Sequence, residues 1–378
     1  MILSRRRFGQ AAAAGLLTAP RIGRAAEPIT IGMIVPMTGA GAEPGKLSVN
    51  GASLALAEVN KDGVLDRPLR IVMEDDQTSN PGTVLAFSRL AGHAEIAAFI
   101  GPVRSTQVKA IAPDVLRTGK PMMFGGSDPS LTQAGNPWLF RCRPHDGYSA
   151  KVMAEYGSKD LGGRKWAVIH TTDTFGTNGS KALKDELEAR GTSPVLVEGF
   201  TNGMTDFSAV ILALRQSGAD LLVTYFSLDP DLAIFARQLR ELGVHVTWLG
   251  SAAIANTSAR KLAGSALHGT YGVADFAAEA NPVSRSLAAR YETAFTQQPD
   301  QNAAWVYDAI HLLARAIRDT GGMEPERVRA ALLAIRGHAG AEGEYNFDPN
   351  GDGLHGYNVV RNDAGTLVFV RRVEFPSA

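Results

Sequence analysis

The sequence predicts an α/β protein made of two similar halves, each a parallel sheet wrapped by helices. Three observations point there. Apolar β-rich runs alternate with segments whose apolar residues recur every three or four positions, the rhythm of repeated strand–helix units. The strand runs are continuously apolar, as strands buried on both faces are. They are also too many for one ordinary sheet. Five strands are expected before residue 125 and four or five more between residues 165 and 273, which two halves hold more naturally than one open sheet.

The elements follow in order. Ile29–Val35 is a strand closed by Pro36 and the turn residues Thr38 and Gly39. Residues 46–60 set Leu47, Leu54 and Val59 among alanines, a helix ending near Gly63. Leu69–Met73 is a strand, and Pro81–Ala91 a helix with Val84, Phe87 and Leu90 on one face. Ile96–Ile100 is a strand, Ser105–Leu116 a helix and Pro121–Phe124 a strand, and Trp138–Cys142 is strand-like. The rhythm then restarts. Ser149–Leu161 reads as a helix, Trp166–Ile169 as a strand, Lys181–Ala189 as a helix and Val195–Val197 as a strand. Phe207–Gln216 is a helix and Leu221–Tyr225 a strand. Asp231–Leu242 is a clear amphipathic helix through Leu232, Phe235, Leu239 and Leu242. Val246–Leu249 is a strand, and helices dominate from Pro282 to Ile335.

Composition removes several functional classes. With 378 residues the chain is long enough for two domains of common size. Lys and Arg total 38 and so do Asp and Glu, so the basic excess of a nucleic-acid binder is missing. A single cysteine excludes an internal disulfide framework and a Cys-rich zinc site. That residue, Cys142, and the pair Met122 and Met123 read as core. No apolar run is long enough to span a membrane.

The N-terminal residues read as an export signal. Ser4 and the arginines Arg5, Arg6 and Arg7 precede Phe8, an apolar stretch runs from Ala11 to Ala19, and Arg21, Arg24, Ala25 and Ala26 follow. The arginine pair before Phe8 resembles the twin-arginine signal, which carries folded proteins across the bacterial inner membrane. Residues 1–26 are therefore expected to be a signal cleaved near Ala25 or Ala26, with a periplasmic mature protein. Removing five arginines from 38 leaves 33 basic against 38 acidic side chains, a net charge of about −5.

In open parallel sheets, ligands sit beyond the carboxyl ends of the strands, where helix N-termini offer unpaired N–H groups and partial positive charge. Two segments match. Gly101–Gln107 follows a strand and opens a helix, with Ser105 placed to cap it. Gly125–Ser130 follows the next strand; Gly125 lets a ligand approach the backbone and Ser127 adds a hydroxyl. Each serine has a plain alternative, helix capping.

At this point the chain resembles the periplasmic solute-binding proteins of the leucine/isoleucine/valine type, which feed ABC transporters. The resemblance is carried by Ile31–Gly39 as first strand and loop, Gly51–Asn60 as first helix, and Glu74, Asp75 and Asp76 closing the second strand before Asn80 and Pro81. It continues through Ile100–Ser105, Asp173–Gly176 and Gly343–Asp352, the family's late hairpin, in the family's order over essentially the whole mature chain.

The resemblance implies the type I fold: two Rossmann-like lobes with parallel sheets, joined by three crossover segments near Arg143, near Val273 and after Gly353. The expected lobes are residues 27–145 with 274–353, and 146–273 with 354–378. They would close by hinge bending on one small solute for an ABC permease, as a monomer, with no enzymatic step, no cofactor, no metal and no nucleic acid. The family's carboxylate contacts fall on Ser105 and Thr106, then Gly125 and Ser127. Phe175 matches the stacking aromatic, and Phe226, Ser227 and Ser251 should line the same cleft. Two departures bear on the ligand. Ser251, Ala252 and Ala253 stand where amino-acid binders place an acid for the ammonium, leaving Asp128, Asp173 or Asp229 as substitutes. Arg104 is either a fork onto a carboxylate or a rim charge paired with Asp128 or solvent. An uncharged wall with an extra cation suits a small organic acid, aromatic ones included. The ligand class is thus a branched-chain amino acid or a related organic or aromatic carboxylate.

Two other readings stay open. A ligand-sensing receptor module would use the same fold. Gly39–Gly45 imitates a dinucleotide fingerprint and would make an exported NAD-type oxidoreductase, but Pro44 interrupts the pattern and the spacing is wrong. Asp348–Gly353 starts like a calcium loop, yet Val359 occupies the position that needs an acid, so a turn is expected.

Overall fold

A computed structural model describes residues 27–376; residues 1–26, expected to be an export signal, lie outside the described residues. Five strands, β1 (Ile29–Val35), β2 (Leu69–Asp75), β3 (Ile96–Ile100), β4 (Met122–Phe124) and β5 (Leu139–Arg141), form a parallel sheet in the order β2-β1-β3-β4-β5. Every residue of β1 is buried, as its unbroken apolar run requires. Only four strands precede residue 125, not five. The fifth, β5, lies beyond it because the short helix α4 (Ser130–Gln133) intervenes.

Between these strands run α1 (Ala42–Asp62), α2 (Asn80–Ala91) and α3 (Ser105–Thr118). Helix α1 starts four residues earlier than the apolar spacing suggests. Pro44 then falls in the first turn, where a missing N–H costs no intrahelical bond. Gly45 sits beneath the Pro36 carbonyl, where any Cβ would collide with it. This close approach brings α1 onto the loop after β1. Asp75 holds that loop from the neighbouring strand, accepting from the Met37 amide at 2.9 Å and the Thr38 hydroxyl at 2.6 Å.

A second sheet contains β6 (Trp166–Thr171), β7 (Leu196–Phe200), β8 (Leu221–Tyr225), β9 (Thr247–Gly250) and β10 (Tyr271–Ala274), all parallel. Helices α5 (Asp146–Lys159), α6 (Thr174–Ala189), α7 (Ser208–Ser217), α8 (Asp229–Glu241) and α9 (Thr257–Ala263) accompany them. Helices α10 (Pro282–Phe295), α11 (Gln301–Thr320) and α12 (Pro325–Ala334) return to the first sheet, where Trp305, Ile310 and Leu313 share a core with Ile29, Ile31 and Met33. Two-residue strands β11 (His338–Ala339) and β12 (Glu344–Tyr345) pair beside them. The chain then ends in β13 (Gly356–Asp363) and β14 (Thr366–Glu374), an antiparallel hairpin added to β10. No strands were expected there; because β13 pairs antiparallel with both β10 and β14, the second sheet is mixed rather than parallel throughout, in the order β14-β13-β10-β9-β8-β6-β7. The hairpin turns at Ala364 and Gly365, with φ of 50° and 96°. Positive φ at both positions matches the twist of paired strands.

The second sheet has a core on each face. Phe200, Phe207, Phe226, Phe235 and Trp248 gather on one side, and Val168, Leu183, Leu187 and Val223 on the other. The chain passes between the two sheets at 142–146, 274–282 and 352–356. Cys142 is fully buried in the first core, and burial pushes its thiol well above the ordinary range.

Candidate functional site

The first wall of the cleft is the N-terminus of α3, delivered at the carboxyl end of β3. Arg104, not Ser105, occupies the cap position: it keeps extended angles (φ −94°, ψ 131°), while Ser105 already belongs to the helix. The Ser105 hydroxyl instead accepts from the Asp128 amide at 3.2 Å. The amides of Ser105 and Thr106 have no acceptor among the described residues, so they remain free for an anion. Ser127 lies beside them and donates to Asp146 Oδ2 at 2.8 Å. Burial pushes the Asp146 carboxyl up to about 7, against the hydrogen bond from Ser127 and the charge of Arg143.

The opposite wall comes from α6 and the end of β8. Asp173 caps α6, accepting from the Gly176 amide at 3.0 Å and from Asn202 at 2.9 Å. Phe175 follows it, half-buried, its ring 5.8 Å from that of Tyr225. Phe226 lines the cleft while its ring packs 4.6 Å from that of Phe200 and 5.3 Å from that of Phe235. The Ser227 hydroxyl is buried with no partner. Arg104, Ser105, Thr106, Ser127, Phe175, Phe226 and Ser227 all line one cavity between these walls.

Two expected residues stand behind the wall. Gly125 donates its N–H to Pro102 at 3.1 Å and gives its carbonyl to Arg143 at 2.9 Å, so it offers a ligand neither group. Ser251 spends its amide on the Thr224 carbonyl at 2.9 Å, and Ala252 and Ala253 take its place at the surface of the cavity.

Arg104 pairs with an acid other than Asp128. Its guanidinium lies 3.4 Å from Asp173 across the cleft. Asp128 instead accepts from Ser130 and from Asn178 of α6, the latter at 2.8 Å and also across the cleft.

The floor was anticipated only at Asp229. Arg143 is buried, ion-paired to Asp275, and donates to Gln301 at 2.8 Å. Gln301 donates to Asn256 at 2.7 Å, and Asn256 donates to Asp229 at 2.8 Å. Ser258 also donates to Asp229. Burial raises the Asp229 carboxyl to about 6, the hydrogen bonds from Ser258 and Asn256 oppose this, and the nearby Asp300 adds to it. Beyond Asp229, the sequence signal was an arginine at a chain crossing. Nothing local marks Asn256 or Gln301.

Other motifs resolve into structure. Ala40, Gly41 and Pro44 of the glycine-rich segment line the cavity mouth beside α1. Asp348 accepts from the amides of Asn350 and Asp352, both at 2.9 Å, and forms a turn. Among the described residues, no group of three or more His, Cys, Asp and Glu side chains could hold a metal ion. No helix of the described residues is long and apolar enough to cross a membrane.

A family model described as periplasmic binding protein matches residues 28–366. A Leu/Ile/Val-binding protein of Rhizobium johnstonii is 28% identical over 347 residues, covering 90% of this chain and 93% of that one. Among solved structures, a leucine binding protein from Thermotoga maritima superposes with a TM-score of 0.85 at 25% identity, covering 92% of this chain and 99% of that one. A solute binding protein from R. palustris in complex with benzoate gives a TM-score of 0.84 at 17% identity, over 93% of this chain and 98% of that one, and shares the fold.

Proposed function

The chain belongs to the periplasmic binding protein family, and from that premise we propose that it is the extracytoplasmic substrate-binding protein of an ABC importer. It would close by hinge motion on a small carboxylate solute, a branched-chain amino acid or a related organic or aromatic acid, and hand it to permease subunits as a monomer. Residues 1–26 would be the export signal. The lobes would be residues 27–145 with 274–353, and 146–273 with 354–378, hinged at the three chain crossings.

The observation that carries this reading is a cavity lined from both sides, by α3 and its neighbouring loops on one and by α6 and the end of β8 on the other. A solute held there touches both lobes only when they are shut, so its binding energy favours the closed form. The ligand carboxylate would take the free amides of Ser105 and Thr106 with the Ser105 hydroxyl, at a helix N-terminus suited to an anion. Phe175, Ala252 and Ala253 would meet its apolar body. Binding and release involve no bond change. Calorimetry with leucine, isoleucine and benzoate, paired with solution scattering, tests the proposal: binding with a smaller radius of gyration is expected. An unchanged radius across a broad metabolite mixture, or turnover of any compound, overturns it.

A further inference from the structure

Glu342 and Arg372 meet where the two halves join, without pairing. Glu342 lies in the turn between β11 and β12 and is 1% exposed, and neither of its carboxylate oxygens has a partner among the described residues. Its backbone is fixed to the first half: Asp308 of α11 accepts from the amides of Ala341 at 2.7 Å and of Glu342 at 3.0 Å. Arg372 belongs to β14 of the second sheet, where it donates to Asn358 at 3.3 Å and to the exposed Glu374. It reaches across to the first half and donates to the Glu342 carbonyl at 2.9 Å, yet its Nη2 is buried with no partner among the described residues. Gly343 leaves room for Nη2, which any Cβ there would strike. The other charged groups facing Glu342 are Arg143, Asp275 and Asp308. Arg143 is committed to Asp275, Gly125 and Gln301, and Asp308 to the two amides and the Tyr345 hydroxyl. A buried carboxyl group and a buried guanidinium N–H left unmatched are both unfavourable. Burial holds the Glu342 carboxyl well above the ordinary range, which lessens the penalty of leaving it without a cation in this arrangement.

The arrangement is the shut one, since Arg104 with Asp173 and Asn178 with Asp128 link the walls of the cleft. We propose that Glu342 and Arg372 are a latch for the open form: opening turns β14 against the β11–β12 turn, the guanidinium meets the carboxylate, and the pair holds the ligand-free protein open. This rests on the solute-binding reading and adds a counterweight to it. The two side chains are anchored in different halves, so relative motion of the halves is what changes their separation. The links across the cleft favour closing and the latch favours opening. A solute then shuts the protein only by binding the shut form more tightly than the latch holds the open one.

The test measures opening without any solute. Spin labels on Lys109→Cys of α3 and Lys181→Cys of α6, both exposed and on opposite walls, report the width of the cleft by pulsed electron paramagnetic resonance; Cys142 is buried and takes no label. Glu342→Gln and Arg372→Gln should each raise the ratio of shut to open ligand-free protein by about 5–30-fold, the worth of a partly buried charge pair. The double variant should add little to either single one, because each change already removes the pair. Glu342→Gln keeps the side-chain shape and removes a buried acid, so its melting temperature should hold or rise. An unchanged or more open ratio in either single variant overturns the latch, and so do fully additive effects in the double variant. Shutting of the native protein on leucine, isoleucine or benzoate, in that event, leaves the solute-binding reading standing. A single short distance in the ligand-free native protein also overturns the latch, and the broader reading falls with it only if no solute of a metabolite mixture binds.

Discussion

Arg104 and Asp173 cap two helices that face each other across the cleft, and they are joined there: Nη2 of the arginine lies 3.4 Å from Oδ2 of the aspartate. A guanidinium beside a helix N-terminus is poorly placed for the α3 dipole. The carboxylate of Asp173 offsets that while capping α6. With the bond from Asn178 to Asp128, it makes two polar links between the walls.

These links should bias the closing equilibrium rather than grip the solute. Asp173→Asn or Arg104→Gln is expected to weaken binding of a carboxylate solute by about 5–30-fold, the worth of a partly buried charge pair. The loss should shrink as salt rises in the native protein, because these side chains are still 18% and 12% exposed. Titrations at low and high ionic strength check this. A loss above about 1,000-fold for Arg104→Gln would instead mean that the guanidinium touches the ligand directly.

Ser105 carries a different kind of contribution. Its hydroxyl accepts from Asp128, so its own proton is left for the solute. Ser105→Ala should weaken binding by about 1–3 kcal/mol through an unsatisfied ligand oxygen, and should also lower thermal stability, because the buried Asp128 amide loses its acceptor. An unchanged dissociation constant removes Ser105 from the site.

The alternation of strands and helices was legible because central strands such as Ile29–Val35 and Leu221–Tyr225 are buried on both faces and so are almost wholly apolar. Ser105 and Ser127 could be named as site candidates for a related reason, since parallel sheets put strand-to-helix loops on one edge; Thr106 and Phe175 came from the resemblance to the family. Asn256 and Gln301 could not be. They reach the floor from α9 and α11, and only tertiary contact with Arg143 and Asp229 orients them. Gly125 and Ser251 sit on the right loops but one shell too deep. Whether a backbone amide is free depends on its partner, here Pro102 or Thr224, and not on its own residue type. The closing hairpin was missed because its outer strand is half-exposed and mixes arginines with valines.

The crossing at 352–356 is locked by Arg141 and Asp352, which are both buried and lie 2.6 Å apart. Arg141 also donates to Thr132 at 3.1 Å and to the Gly126 carbonyl. Asp352→Ala leaves that guanidinium buried with no counter-charge, and a loss of about 3–5 kcal/mol in unfolding free energy is expected. Urea melts measure it. A loss under about 1 kcal/mol would show that the bonds to Thr132 and Gly126 suffice to hold the arginine.

Asp146 gives a prediction in pH. Its carboxyl sits at about 7 in the folded protein because burial penalises the ionised form, against an ordinary value of 3.8. Between those two values the folded state holds a proton that the unfolded chain has released. The stability it contributes is therefore complete below about 4 and is lost as pH rises through about 7. Partly buried His145, lowered to about 4 mainly by desolvation, acts with the opposite sign, because the unfolded chain binds its proton first as pH falls. A raw melting curve mixes the two, but the difference between the native protein and Asp146→Asn cancels the histidine. That variant should gain stability relative to the native protein, by about 1–4 kcal/mol, as pH goes from 4 to 8, with most of the gain accrued by pH 7. A flat difference curve would mean that Ser127 and Arg143 keep Asp146 ionised in the fold. In that case the Ser127 hydroxyl is permanently committed to Asp146 and can offer a ligand only its lone pairs.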